Sequence, residues 1–585
     1  MTELATPETL ASAPAPPVNI ARRLSRTAAQ MPEALAVVMP RGRKAGRRQY
    51  DTYTFAELDA ESNRLASGLV AWGVTPGMRI ALLVRPSMEF IALVFALFKA
   101  GAVIVLVDPG MGRKNLLGCL EEVQPEGFIA IPLVQAVRTV FRRRFPKARF
   151  NITVGRRWFW DGLTLDGLRA LGLPEPFCHD TSADDAAAII FTTGSTGPPK
   201  GVLYRHGNFD RQVTEIQGFY NVRPGEVDLA CFPLFGLFNC AMGVTTVIPV
   251  MDASRPAKVD PRNIIEAVRD WKITQSFGSP AIWNRVGQYC EKHNVQLPSL
   301  ARVLAAGAPV APHVLARMKG SISPAGDVHT PYGATESLPV ASISASEILR
   351  ETRQTWAHGG GTCVGRKFPG IEWKVIEIVD GPIASLAAVR TLSTGRIGEL
   401  IVTGPVVTRQ YVTRLEANAL GKIVDGGRVW HRLGDVGYFD HSERFWFCGR
   451  MAHRVLSVDG PMFTIPCEAI FNQHPAVYRS ALVGVGKPGR QQPVIIVECW
   501  PEKRPRGRKA RQKLLDELAV LAAANPQTAP IQTFLIHPAM PVDIRHNPCC
   551  AAHSERPAPS EDHYSSYQAS YAALRTEKSI RRPDP

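Results

Sequence analysis

An α/β fold is predicted: a large N-terminal domain of parallel-type sheets, a β-rich subdomain attached to it, and a small mobile α+β domain at the C-terminal end. Three observations predict it. Apolar runs of strand length alternate with helical patterns through the first half of the chain, which is how a parallel α/β sheet is written in sequence. Short β runs turned by glycines fill Val364 to Val412. The character changes again at FWFCGRMAHRV, Phe445 to Val455. At 585 residues the chain also exceeds what a single hydrophobic core organises. The expected division is a mobile arm at 1–18, a large domain at 19–449, a small domain at 450–547 and a disordered tail at 548–585.

From Ile20, IARRLSRTAAQ has a helical pattern and ALAVVM reads as a strand. After a turn near Tyr50 comes the helix TFAELDAESNRLASGLVAWGV, whose Thr54 and Glu57 stand at capping-box spacing. RIALLV, SMEFIALVFALFKAG and AVIVLVD follow as strand, helix and strand. Phe90 to Val107 is long enough to tempt a membrane-spanning reading. Lys99 and the break at Gly101 favour a buried helix running into a buried strand instead. Helix RKNLLGCLEEVQ, strand GFIAI and a basic helix near Val137 to Arg144 lead to the linker LPEPFCHDTSADD, and AAAIIF (Ala186 to Phe191) is a continuous apolar run of buried-strand type. Beyond it, DPRNIIEAVRDW and ITQSFGSP read as helix and strand, VLAAGAP and APHVLARMKG as another such pair, and HTPYGATESLPVA as a loop. The C-terminal module reads as helix PCEAIFNQH, strands YRSALVGVG and QPVIIVECW, helix QKLLDELAVLAAANP and strand TFLIHP.

The net charge of +16 invites a nucleic-acid reading, but no recognition module accompanies it. Basic runs occur at Arg41–Arg48, Arg138–Arg149 and Glu502–Lys513, and solvated surface is the commoner meaning of such runs. The second is interleaved with apolar residues, which leaves room for peripheral contact with a membrane. Eleven cysteines without a CxxC pair fit a reducing cytoplasm better than a zinc or disulfide framework. The opening TELATPETLASAPAPPVN has no apolar core of the signal-peptide kind.

The stretch FTTGSTGPPKGVLYRHGNF, Phe191 to Phe209, carries the chemistry. Gly194, Gly197 and Gly201 allow a sharp turn and close approach to a ligand, while Thr192, Thr193, Ser195 and Thr196 offer hydroxyls beside the backbone N–H groups. Such a loop cradles phosphate oxygens, and Lys200 adds a full positive charge. It is not a Walker A loop, because Pro199 precedes the lysine and Gly201 follows it. TPYGATES, with Tyr332 and Gly333, then Thr335 and Glu336, reads alone equally well as an ordinary loop; taken after the phosphate loop it offers a ring that can stack on adenine, a hydroxyl that can reach the α-phosphate and a carboxylate that can hold magnesium. LAAGAPV, with Gly307, Ala308 and Pro309, is small enough to let a nucleotide approach the backbone. In RLGDVGYFD, Asp435 can accept both hydroxyls of a ribose.

Taken in order, these motifs resemble the signatures of the adenylate-forming superfamily of acyl-CoA synthetases, luciferases and peptide-synthetase adenylation domains. VRPSMEFIALVFALFKAGAVIVLVDPG, TPYGATESLPVA, GTCVGR, HRLGDVGYFD with RFWFCGR, ALVGVG and PVDIRHN resemble one branch in particular, the olefin β-lactone synthetases of bacterial long-chain hydrocarbon synthesis. The resemblance implies ATP as co-substrate, Mg2+, and a hinge at Cys448–Arg450 whose arginine also touches the ribose. It implies activation of a long-chain 2-alkyl-3-hydroxy acid as acyl-AMP, then attack of the substrate's own hydroxyl to close a β-lactone. Assembly with other enzymes of that pathway is a further implication. An acyl tunnel is expected along CFPLFGLF and FGSPAIW, with Phe232, Phe235, Phe238, Phe277 and Gly278 as candidates; plain core is the alternative for both.

Two departures stand out. After Arg450 the chain reads MAHRVLSVDGPMF, without the acidic residues, lysine and glycine-rich strand that coenzyme A ligases carry. After PVDIRHN the family presents a catalytic lysine, whereas here none occurs before Lys578, in a Pro/Ser-rich tail such as a shifted reading frame leaves. The alternatives are therefore a fatty acyl-AMP or acyl-CoA ligase, and an impaired homologue that binds nucleotide or acyl chain without turning it over.

Overall fold

The computed structural model describes residues 17–108, 111–192, 198–232, 236–253 and 255–540. Residues 1–16 of the expected arm, Thr193–Gly197, Phe235 and everything from Pro541 onward lie outside the described residues. Val18, expected in the mobile arm, is instead tied down, its N–H donating to the Thr181 carbonyl at 2.7 Å and its carbonyl accepting Thr181 Oγ1 at 2.8 Å. Among the described residues, fourteen strands form one sheet and seven another. The seven-stranded sheet runs in the order Leu163–Thr164, Phe150–Thr153, Gly127–Ala130, Arg79–Leu83, Val103–Leu106, Ala186–Phe191, Gly201–Arg205. All its neighbours are parallel except the last pair, a hairpin around the expected phosphate loop.

In the large sheet, Leu35–Lys44, Thr245–Val247, Val227–Ala230, Gln275–Gly278, Arg302–Ala305 and Asp327–Ala334 are parallel neighbours. The glycine-turned strands Glu372–Ile376, Gly398–Thr403, Arg428–Phe439 and Phe445–Arg450 extend the same sheet as its antiparallel end. The helix Met88–Lys99 buries every residue but Glu89, as its all-round apolar sequence requires. Lys99 survives there because its ammonium reaches Asp59 Oδ1 at 2.6 Å, Ser62 Oγ at 2.7 Å and Asn63 Oδ1 at 2.6 Å. No described helix is long and apolar enough to cross a membrane.

The capping box forms: Thr54 Oγ1 accepts the Glu57 N–H and Glu57 accepts the Thr54 N–H. The turn expected near Tyr50 falls earlier, at positive-φ Ala45 and Gly46, because Arg47–Thr54 pairs back along Leu35–Lys44. The basic helix is Pro132–Val140, with Arg142–Arg144 a separate 3-10 turn. The segment expected as a loop at HTPYGATESLPVA is a hairpin instead: Asp327–Ala334 pairs antiparallel with Ser337–Ser344. Pro331 is tolerated because pairing with Arg302–Ala305 stops at His329, so its missing N–H faces no ladder on that side. Past Arg450, the strands Val477–Val485, Gln492–Cys499 and Thr533–Ile536 form a three-stranded sheet under the helix Gly507–Ala523, around a core cluster of its own.

Candidate active site

The neck of the expected phosphate loop is closed by Thr192 and Lys200. The Thr192 N–H donates to the Lys200 carbonyl at 3.0 Å, and the Lys200 N–H donates to Thr192 Oγ1 at 3.3 Å. Lys200 thus stands where the hairpin strand Gly201–Arg205 begins, and its ammonium lies 5.1 Å from the centre of the Tyr411 ring.

Asp435 and Arg450 face each other across the antiparallel pair Arg428–Phe439 and Phe445–Arg450. Each follows a glycine whose backbone another residue would resist: Gly434 at φ +67° and Gly449 at φ +134°. A Cβ on Gly449 would also lie 2.5 Å from Thr464 Oγ1. Arg450 donates to Asp435 Oδ1 and the Tyr332 hydroxyl donates to Oδ2, so three candidates from distant segments close on one another. Burial, then the Asp435 charge, pushes the Tyr332 phenol well above its ordinary range. Burial works against the Arg450 charge, and Asp435 more than offsets it.

Thr335 and Glu336 form the turn of the 327–344 hairpin. The Thr335 carbonyl accepts the Tyr204 hydroxyl. Glu336 accepts the Tyr411 hydroxyl on Oε1 at 2.6 Å, and its carbonyl takes the Thr408 N–H at 2.9 Å. Behind them Lys422, 6 % exposed, donates to the Thr408 carbonyl at 2.5 Å and lies 5.6 Å from the Tyr411 ring centre. Burial lowers Lys422 to about 7 and buried His431 to about 3, the latter also repelled by Lys422. Burial disfavours the Glu336 charge, yet His431, the Tyr411 hydroxyl and Lys422 together hold the carboxyl below its usual range.

Gly307 sits at φ +100° with open space where a Cβ would point, beside Ala308 and Pro309. Of the acyl candidates, Phe232 and Phe277 lie 6.3 Å apart, while Phe238 packs at 6.1 Å against Phe209. A Cβ on Gly278 would meet the Trp283 ring at 3.1 Å, so only glycine keeps that ring where it is. Tyr411, Thr408, Lys422 and His431 were not among the expected residues.

The family model described as "AMP-binding enzyme" matches residues 24–412. The chain belongs to the AMP-binding enzyme family. Among curated relatives of that family, the olefin β-lactone synthetase of Xanthomonas campestris is 46% identical over 90% of this chain and 95% of its own. That of Stenotrophomonas maltophilia is 45% identical over 91% of this chain and 96% of its own. Among solved structures, ATP-bound MatB from Rhodopseudomonas palustris superposes with a TM-score of 0.72, covering 91% of this chain and 97% of that one at 20% identity. The amide bond synthetase McbA from Marinactinospora thermotolerans gives 0.72 as well, over 90% and 98%. These two establish the fold, and the adenylate-forming ligase expected from the motifs stands.

Proposed function

We propose that this enzyme activates a long-chain 2-alkyl-3-hydroxy acid with ATP and closes it to a β-lactone. The observation that carries this reading is the 46% identity to an olefin β-lactone synthetase across nearly all of both chains. The acid's carboxylate attacks the α-phosphorus and pyrophosphate leaves. The 3-hydroxyl then attacks the acyl carbonyl, loses its proton, and expels AMP. The nucleophile is tethered to its electrophile, so ring closure needs no second substrate.

In this reading Asp435 and Arg450 hold the ribose, and the Tyr332 ring with Gly333 and Gly307–Pro309 borders the adenine. Thr192–Gly197, Lys200 and Thr335 bind the phosphates. Ribose binding exchanges the Tyr332–Asp435 hydrogen bond for bonds to the sugar. Glu336 fits the task of holding Mg2+, since that ion is usually bound by one or two carboxylates plus substrate phosphates rather than by a protein cage. When bound there, the ion would neutralise charge on the phosphates. Phe232, Phe235, Phe238, Phe277 and Gly278 are proposed to line the alkyl channel, and the segment after Gly449–Met451 to swing as a small domain in the cytoplasmic enzyme.

The test is incubation of a 3-hydroxy acid with ATP and no coenzyme A. AMP together with a lactone carbonyl is expected; a stalled acyl-adenylate, or a product formed only on adding coenzyme A, would overturn the lactone reading in favour of an acyl-AMP or thioester ligase.

A further inference from the structure

At the outer end of the seven-stranded sheet, two connections expose an unusual combination of side chains. The helix Pro132–Val140 buries only Gln135, whose amide donates to the Phe128 carbonyl at 3.0 Å and the Ile152 carbonyl at 2.9 Å. With Gln135 turned inward, Leu133, Val137, Val140 and Phe141 point outward, 65, 39, 74 and 40 % exposed. Their spacing is that of one helix face, and it is the face a soluble protein normally makes polar. The loop after the neighbouring parallel strand Phe150–Thr153 leaves at the same edge, and a Cβ on Gly155 would stand 3.6 Å from the Pro132 ring. Here buried Trp160, donating to Thr153 Oγ1 at 2.8 Å, holds the Trp158 and Phe159 rings at 5.3 and 5.1 Å. Those two rings are 55 and 73 % exposed.

Cations stand in the same two connections. Arg142, Arg143, Lys147, Arg149 and Arg156 are exposed, and among the described residues no carboxylate pairs with them. Arg144 pairs with Glu121, and Asp161 lies within electrostatic reach of Arg138. Aromatic and aliphatic side chains flanked by unpaired arginines suit the boundary between headgroups and acyl chains, where apolar groups enter and cations meet phosphates.

We propose that this edge is a docking face for an anionic phospholipid surface, with Leu133, Val140, Trp158 and Phe159 inserting and the arginines on lipid phosphates. The strand Ala186–Phe191, which leads into the Lys200 loop, ends at the same edge three ladder steps from Gly127–Ala130, about 14 Å away. Docking would therefore bring the activating loop near a lipid surface. The inference rests on this surface and not on the identity of the acid, and its readout is binding rather than turnover.

The test is flotation of the full chain with vesicles of phosphatidylcholine alone and of phosphatidylcholine with phosphatidylglycerol. Salt-sensitive binding to the anionic vesicles is expected. Arg142→Ser with Arg143→Ser should lower the partition coefficient roughly 25-fold, about fivefold per arginine. Val140→Ser with Phe159→Ser should lower it as well, with both double variants keeping the parent's thermal midpoint because every changed residue is exposed. Equal flotation with both vesicle types, or undiminished binding by folded variants, overturns the proposal. So does a concentration-dependent dimer abolished by Val140→Ser with Phe159→Ser, which would assign the face to a second copy of the chain.

Discussion

Lys422 is a cation held where water hardly reaches it, with the Thr408 carbonyl as its hydrogen-bond partner. Burial pulls it down to about 7, against the attraction of Glu336 and with the repulsion of Lys200. In the unfolded chain a lysine titrates near ~10.4, so between about pH 7 and that value the unfolded state keeps a proton the folded state has shed, and stability rises with pH. Lys422→Met should therefore be more stable than the parent at pH 7, by a margin that shrinks towards about pH 10. Thermal midpoints across that range check this, and a margin that grew with pH would contradict it. Asp435 supports a different measurement. Asp435→Asn should raise KM for ATP roughly ten- to hundredfold, the worth of hydrogen bonds to a charged group, with kcat nearly unchanged if the carboxylate binds ribose and does nothing to the reacting phosphorus. The Asp435 and Arg450 positions were readable because each sits in a short ordered motif with its glycine. Lys422 was not: strand alternation in Lys422–Asp425 puts it on the same face as Val424, 63 % exposed, which reads as a solvated lysine.

Between strands, the pair Arg432–Glu399 ties Arg428–Phe439 to Gly398–Thr403, just upstream of Asp435. Arg432 also donates to the Gly381 carbonyl at 2.7 Å and to the Val379 carbonyl, so its guanidinium fixes a loop as well as a ladder. Burial raises the Glu399 carboxyl despite Arg432 beside it. Removing one partner leaves a buried charge alone, and Arg432→Met should cost about 3–5 kcal/mol in urea unfolding. Arg432→Met with Glu399→Leu should recover much of that loss, and a double variant no better than the single would mean that the carbonyl bonds, not the charge pair, hold this region. Elements whose pattern is local were legible: the strand Ala186–Phe191, the Thr54 capping box and the apolar helix Met88–Lys99. The 327–344 hairpin was not, because Pro331 and Gly333 advertise a loop, and what permits them is an unpaired strand edge visible only in the sheet.

At the scale of the whole molecule, the site depends on how far the large sheet curls. Tyr332 and Asp435 lie on strands four ladder positions apart, about 19 Å in a flat sheet, yet their side chains are hydrogen-bonded. That convergence is a property of sheet coiling and could not be read from spacing in the chain. In the proposed reading Glu336, Lys200, Asp435 and Arg450, all before Asn547, hold the nucleotide, so that reading asks nothing of the tail for binding and calls on it only for the chemical step, if the family's lysine acts there. Lys578 is the one lysine after Asn547. Losing a donor aimed at the transition state costs roughly a hundred- to a thousandfold in rate. We therefore expect ATP to bind but pyrophosphate release to be slower, by about that factor, than in a hybrid that carries a lysine-bearing family ending. Replacing the residues after Asn547 with a lysine-bearing family ending should restore the rate, and exchanging that lysine for alanine should abolish the gain. Equal rates for the parent and the hybrid would mean that Lys578 already reaches the site, or that adenylation here needs no such lysine.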